Sequence, residues 1–312
     1  MYLSYSGYKT YGGCPKQYWH KYVDKTTPPK PDNCVNSLYG SVVGVIFEKF
    51  YEYKWWKQDD VARFMLTKVD ETLDKVISDQ RGRVLDWSDE KANYHSRSDL
   101  VEDIRSAIPR GIEIIRANRF LGPVAVPEMK LDYDYGPHRV AGRADFVIER
   151  VKPHGDLIIL DGKGSKHREK YVEETQLKWY AFLYRDHKGR VPDKLGFVFW
   201  RFAGEKSTLW IDYTKEDLDA LKQEVLGTMD RIEKGIRRLT TLSERPKAAY
   251  EERQELFPAQ PSFSCNLCPY LELCEEGSAK YGKKKSGGGQ RRPKSSTTLP
   301  GSGVRELSLD DD

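Results

Sequence analysis

Leu157-Ile158-Ile159-Leu160-Asp161-Gly162-Lys163 is the stretch from which the rest of the chain is best read. Four consecutive apolar residues make a short strand buried on both faces, as a central strand is. Side chains alternate along a strand, so Asp161 and Lys163 share one face at its end. Upstream, Val124-Ala-Val-Pro-Glu-Met-Lys-Leu-Asp-Tyr-Asp-Tyr135 alternates as a half-buried strand does, and Gly136-Pro137 marks a turn. A second strand follows through Val140, Ala144, Phe146 and Ile148, with Gly142-Arg143-Ala144-Asp145 inside it. Asp145 can reach the face that carries Asp161.

Two carboxylates converging at a sheet edge make a hard oxygen site of the kind Mg²⁺ or Mn²⁺ prefers. A lysine beside them holds an attacking water or stabilises charge on a phosphate oxygen. These are the parts of metal-assisted phosphodiester hydrolysis. Asp-x-Lys alone reads more readily as an ion pair at a strand end. Three further residues favour the site: Glu128, one hairpin upstream of Asp145, and Gln176 and Tyr180 in Thr175-Gln-Leu-Lys-Trp-Tyr-Ala-Phe-Leu-Tyr184. Four residues apart on a helix, Gln176 and Tyr180 are neighbours on one face. Leu177, Ala181 and Tyr184 form the adjoining stripe that packs on the sheet.

The order Glu128, Gly142-x-x-Asp145, Asp161-x-Lys163, Gln176-x-x-x-Tyr180 resembles the PD-(D/E)XK nuclease superfamily, and more narrowly its RecB-like exonucleases, including CRISPR-associated and phage-encoded members. The resemblance implies an α/β fold of the restriction-endonuclease type, with a mixed central sheet flanked by helices. It implies Asp145, Asp161 and the Gly162 backbone carbonyl as ligands of Mg²⁺ or Mn²⁺, and Lys163 as the catalytic lysine. The substrate would be DNA with a free end or single-stranded DNA. The setting would be recombination, repair or phage or CRISPR DNA processing, with a recombination or CRISPR-adaptation protein as partner, in the cytoplasm of a bacterial or phage-infected cell. A second reading is a catalytically weakened DNA-binding or adaptor protein on the same scaffold.

That second reading rests on the helix that Ser37 is expected to cap and that runs through Val42, Ile46, Phe50 and Tyr53. Relatives usually carry a metal-binding His here, and alignment on Gly40 and Glu48 puts Gly44 in its place. Glu48, one turn on, either reaches the metal instead or is an ordinary solvent-facing acid.

Cys265-x2-Cys268-x5-Cys274 groups three thiols, a metal signal in a protein without a disulfide framework. Cys14 or Cys34 can supply a fourth ligand. The Cys14-Pro15 context, with Tyr18 and Trp19 after it, resembles the opening helix of cluster-bearing RecB-like nucleases. That resemblance implies a [4Fe–4S] cluster on Cys14, Cys265, Cys268 and Cys274, with Cys34 left over. Zinc on the same thiolates is the alternative, since spacing does not separate the two.

The chain has 312 residues and a formal net charge of +4. Eight Lys/Arg and four acids fall in 279–312, which leaves 44 of each in 1–278. The body is neutral, so DNA binding needs a local patch. No stretch approaches membrane-spanning length and Met1-Tyr-Leu-Ser-Tyr-Ser has no signal-peptide pattern, so a soluble intracellular protein is expected. Three parts are expected: 1–123, helical, with Cys14; 124–278, the nuclease core and cysteine segment, one folded unit with the first; and 279–312, a disordered basic tail that either attracts DNA weakly or only solubilises, and that ends in an acidic-apolar tip. Helices are expected over Val61–Val76 and Asp99–Phe120, and Arg105, Arg110, Arg116 and Arg119 could face phosphates. Strands are expected at Lys194–Phe202 and Thr208–Tyr213, and a long amphipathic helix at Lys215–Leu242.

Overall fold

The computed structural model describes residues 1–29, 33–80, 83–122, 124–150, 155–169, 172–242 and 245–282. The basic tail lies outside these residues from Lys283 onward, as do Arg81 and Gly82. The structure is a mixed sheet between two helical layers, as the sequence implies. Its strands are β1 (Tyr2–Ser4), β2 (Val124–Tyr135), β3 (His138–Glu149), β4 (Leu157–Lys163), β5 (Lys194–Phe199) and β6 (Thr208–Ile211). Their order is β1-β3-β4-β5-β6, with β2 pairing β3. The β1–β3 and β4–β5 pairs are parallel and the others antiparallel.

β2 covers one edge of β3 along its length, so β1 and β4 share the other edge. β1 pairs with Arg139–Ala141 and β4 with Phe146–Glu149. Gly142 to Asp145 fall between them, and the sheet splays there. β4 keeps its central place through β5, with Asp161 opposite Phe197 and Lys163 opposite Phe199.

One face of the sheet carries α3 (Val35–Glu52), α4 (Val61–Leu66), α5 (Val69–Ser78) and α6 (Arg97–Ala117). Ile46, Phe47, Ile104 and Ile108 share a core with Phe146, Ile158, Leu160 and Trp200. Phe47 and Trp200 stack at 4.2 Å, and Gly111 gives them room, since a Cβ there would lie 2.0 Å from Phe47. Fully burying such aromatic and aliphatic side chains stabilises by about 1.5–3 kcal/mol each. The helices of the N-terminal part are thus one wall of the sheet's own core.

The other face carries α1 (Tyr5–Gly13), α7 (Glu174–Lys188) and α8 (Lys215–Thr241), with α2 (Pro15–Tyr18), α9 (Pro246–Leu256) and α10 (Glu275–Tyr281) at one end. Leu177, Ala181 and Tyr184 of α7 pack as their spacing predicts, against Val140, Val147, Ile159 and Phe197. α8 opens on a capping box between Thr214 and Asp217.

Three local expectations change. Ser37 does not cap α3; the helix begins at Val35 behind Cys34, and the Ser37 hydroxyl donates to the Cys34 carbonyl at 2.8 Å. The pattern Val61–Val76 breaks into two helices at Thr67-Lys68, where Thr67 closes the first turnwise onto Arg63 and Phe64. Ala279 to Tyr281 belong to α10 rather than to a tail. Among the described residues no helix is long and apolar enough to cross a membrane.

Candidate active site

The splay between β3 and β4 is where the predicted site residues meet. Instead of continuing the ladder, the Gly162 N–H donates to Asp145 Oδ2 at 2.8 Å. Glu128 lies opposite Asp145 across the β2–β3 hairpin, at the one position where that ladder is interrupted. Its φ of +49° is unusual for a side chain larger than Gly and marks a locally strained backbone. The strain has a visible effect on both strands. Ala125 and Phe146 face the α3 core, whereas Met129 and Ala144 face the α7 core, so the alternation reverses at this pair. Gly142 is required beside Tyr180, because a Cβ there would sit 3.0 Å from the ring.

Asp161 is 3% exposed, and Lys163 Nζ stands 2.5 Å from its Oδ2 in an ion pair that lacks hydrogen-bond alignment. That oxygen is buried without a hydrogen-bond donor. Lys163 Nζ donates to Gln176 Oε1 at 3.2 Å, and Gln176 Nε2 donates to the Tyr180 hydroxyl at 2.9 Å. α7 therefore braces the lysine through the two residues that sequence spacing put on one face.

Burial pushes the Asp145 carboxyl well above the usual carboxylate range, and the charge of Asp161 adds to it. Burial also raises Asp161, with Lys163 pulling the other way. Glu48 is raised by burial and then by Glu128, and it also feels Arg143, so α3 delivers it to the same acidic patch. Arg143 reaches Glu128 at 3.3 Å. Two crowded carboxyls, Asp161 buried and Asp145 half-buried, with Lys163 as the cation paired to Asp161, make a site short of positive charge. This donor set suits a hard divalent cation.

Tyr5, Lys9 and Glu173 also belong to this region, and sequence reasoning did not identify them. The Tyr5 hydroxyl donates to Glu173 Oε2 at 3.1 Å and Lys9 pairs with Glu173 Oε1. Glu173 precedes α7 and raises the Asp161 carboxyl electrostatically. Of the arginines that the sequence offered as phosphate contacts or as a solvated helix face, Arg105 pairs with Asp70 at 2.9 Å and Arg110 donates to the Trp200 carbonyl at 3.3 Å.

Cys14, Cys265, Cys268 and Cys274 all line one cavity of about 340 Å³. Burial raises the Cys268 thiol, and the other three thiols act on it electrostatically. Backbone N–H groups of Ser262 and Gly277 point at Cys265 and Cys274 sulfurs, at 3.4 and 3.3 Å. Cys34 lies apart, 1% exposed in the α3 core. Among the described residues, the one group of three metal-ligating side chains with ligand atoms within 4.8 Å of one another is His138, Asp230 and Glu233. Ion pairing accounts for that group: His138 Nε2 meets Asp230 at 2.8 Å and Arg237 holds Glu233 at 2.9 Å. No three of the thiols approach one another so closely.

The sequence matches the model of the PD-(D/E)XK nuclease superfamily over residues 2–275. Among solved structures, the chain is similar to a candidate exonuclease from Eubacterium rectale, at 13% identity and a TM-score of 0.41, covering 74% of this chain and 79% of that one. It is also similar to a protein named SSO0001, at 14% identity and a TM-score of 0.31, covering 84% and 94% of the two chains. No curated protein matches the chain.

Proposed function

Since this chain belongs to the PD-(D/E)XK nuclease superfamily, we propose that it is a Mg²⁺- or Mn²⁺-dependent DNA exonuclease. Its setting would be recombination, repair or phage- or CRISPR-associated DNA processing. The observation that carries this reading is the crowded Asp145–Asp161 pair with Lys163 braced by Gln176 and Tyr180. Asp145, Asp161 and the Gly162 carbonyl would hold the cation, with Glu128 and Glu48 at its rim. When bound, such an ion polarises the phosphate and acidifies a water. Lys163, paired with Asp161, would neutralise charge that develops on the phosphate oxygens. Gln176 fixes the lysine's height above the sheet, and Tyr180 fixes Gln176.

The four thiols would hold a [4Fe–4S] cluster with a structural role. A single tetrahedral zinc with Zn–S bonds near 2.3 Å needs sulfurs roughly 3.8 Å apart. No three of these thiols come within 4.8 Å of one another although all four line one cavity, a spread that favours the larger group.

The adaptor reading keeps one observation in its favour: Gly44 presents open space, with nothing within 4 Å of a Cβ built there. Digestion of end-labelled single- and double-stranded DNA with Mn²⁺ or Mg²⁺, beside Lys163→Ala, separates the two. We expect the wild type to release nucleotides from an end and the variant to lose at least about a hundred-fold in rate. Intact DNA with wild-type protein carrying a full thiol-bound metal centre would replace the nuclease by the adaptor.

A further inference from the structure

Beside the acidic site opens a groove of about 580 Å³ that Tyr5, Tyr180 and Arg143 share with it, and whose outer wall, Tyr2 and Lys130, has no part in the chemistry described so far. It lies along the β1–β3–β2 end of the sheet, and the alternation of each strand decides what faces it. Leu3, Leu131 and Val140 turn into the α7 core. Tyr2 and Ser4 on β1, Lys130 on β2 and Arg143 on β3 therefore share the opposite face. Tyr2 is 62% exposed, and Lys130 and Arg143 are exposed as well.

Lys130 and Arg143 are register partners, directly opposite each other on antiparallel strands. Like charges so placed destabilise a sheet, and a polyanion laid across them relieves the repulsion. Arg143 also ties the groove to the acids, because it contacts Glu128 and acts on Glu48. At the far end Tyr2 lies opposite Arg139, whose charge is taken up by Asp132. A phosphate chain entering at Tyr2 would thus meet an open aromatic ring, then two cations, then the carboxylates.

We propose that this groove is the track of one DNA strand: Lys130 and Arg143 bind its phosphates and Tyr2 stacks on an unpaired base at the rim. The proposal rests on the nuclease reading and adds the substrate class, a single strand rather than a duplex. An exposed ring offers a face that only an unstacked base can use, and a neutral body with one local pair of cations matches a short, strand-sized contact.

The test measures anisotropy of a labelled oligothymidine, and of the same oligomer annealed to its complement, in EDTA so that nothing is hydrolysed. Tyr2→Ala should weaken single-strand binding about ten-fold, and Tyr2→Phe should restore it. Lys130→Ala should reduce the salt dependence of binding by about 0.7 in slope, the value for one phosphate contact on a single strand. Both positions are exposed, so melting curves should show intact folds, with Lys130→Ala no less stable than wild type. Equal affinity of wild type and both variants would overturn the track, as would duplex preferred over single strand. If wild type cleaves DNA in Mn²⁺ while the variants bind normally, the track fails and the nuclease reading stands. If wild type binds through Tyr2 and Lys130 but never cleaves, the track stands and the nuclease reading fails.

Discussion

Asp145 is the residue at which stability and chemistry conflict. Lys163 offsets Asp161 and Arg143 offsets Glu128, whereas among the described residues no ion pair holds the Asp145 carboxylate. Its folded-state proton affinity is raised by burial and by Asp161. A carboxyl raised in this way adds stability below its ordinary pKa, near 3.9, and loses that contribution as pH rises through the higher folded value. Metal-free protein should therefore be strained at neutral pH. Asp145→Asn keeps an acceptor for the Gly162 N–H and removes the charge. In EDTA at pH 8 we expect it to stabilise by about 1–2 kcal/mol, a rise in Tm of a few degrees, while abolishing hydrolysis. At pH 4 the gain should shrink. Melting curves at the two pH values check this, and identical gains at both would mean that the charge is not the cause.

At the scale of the element, α3 decides how complete the site is. Gly40, Gly44 and Glu48 follow one another at four-residue spacing, so they line one face of the helix. Gly40 lies against Gly164, just beyond Lys163, and Glu48 acts on Glu128. Gly44 therefore faces the gap between the end of β4 and the acidic patch, the position where resemblance expects an imidazole. A His there meets no atom within 4 Å of its Cβ and is a better helix former than Gly. Gly44→His should fold and bind Mn²⁺ roughly ten-fold more tightly by calorimetry. Unchanged affinity would show that the helix face does not reach the metal. Much of this site is legible in the sequence for the same geometric reason. Asp161 with Lys163, and Gln176 with Tyr180, are pairs whose spacing alone fixes a shared face once strand or helix is recognised. Glu128 was legible as an acid in a strand but not in its backbone, since its φ of +49° reverses an alternation that sequence reading assumes to continue. Glu173 was not legible, because its partners Tyr5 and Lys9 are more than 160 residues away. β1 was missed because three residues are too few to show a period. Ser37 misled because a serine near a helix start bonds as readily to the carbonyl three residues back as to an amide ahead.

At the scale of the molecule, the two ends of the folded chain meet at the thiol cavity, and α1 connects that cavity to the catalytic cleft. Tyr5, in the first turn of α1, reaches Glu173, and Lys9 pairs with the same carboxylate. Tyr5 and Tyr8 pack on Trp179 of α7, at 5.7 and 5.4 Å between ring centres. The helix ends at Cys14, and Lys9, Thr10 and Gly13 line the thiol cavity. The proposed metal centre bridging Cys14 to Cys265, Cys268 and Cys274 would close a loop of nearly the whole folded chain, a constraint on the order of 5 kcal/mol by loop entropy. It would also fix the helix that holds Glu173 next to Asp161 and Lys163. Cys14→Ser should accordingly lose bound iron and sulfide, melt roughly 10 °C lower, and hydrolyse DNA more slowly even below its melting temperature. Cys34→Ser is the control, because it puts a hydroxyl into the α3 core and destabilises by about 1–3 kcal/mol without touching the thiol cavity. Metal content per chain separates the two losses of stability: it should fall for Cys14→Ser and stay at the wild-type value for Cys34→Ser. Zinc in place of iron and sulfide in wild-type protein would exchange the cluster for a mononuclear site and leave the staple intact. Equal metal content in both variants would remove Cys14 from the ligand set, and with it the mechanical link from the chain's end to Lys163.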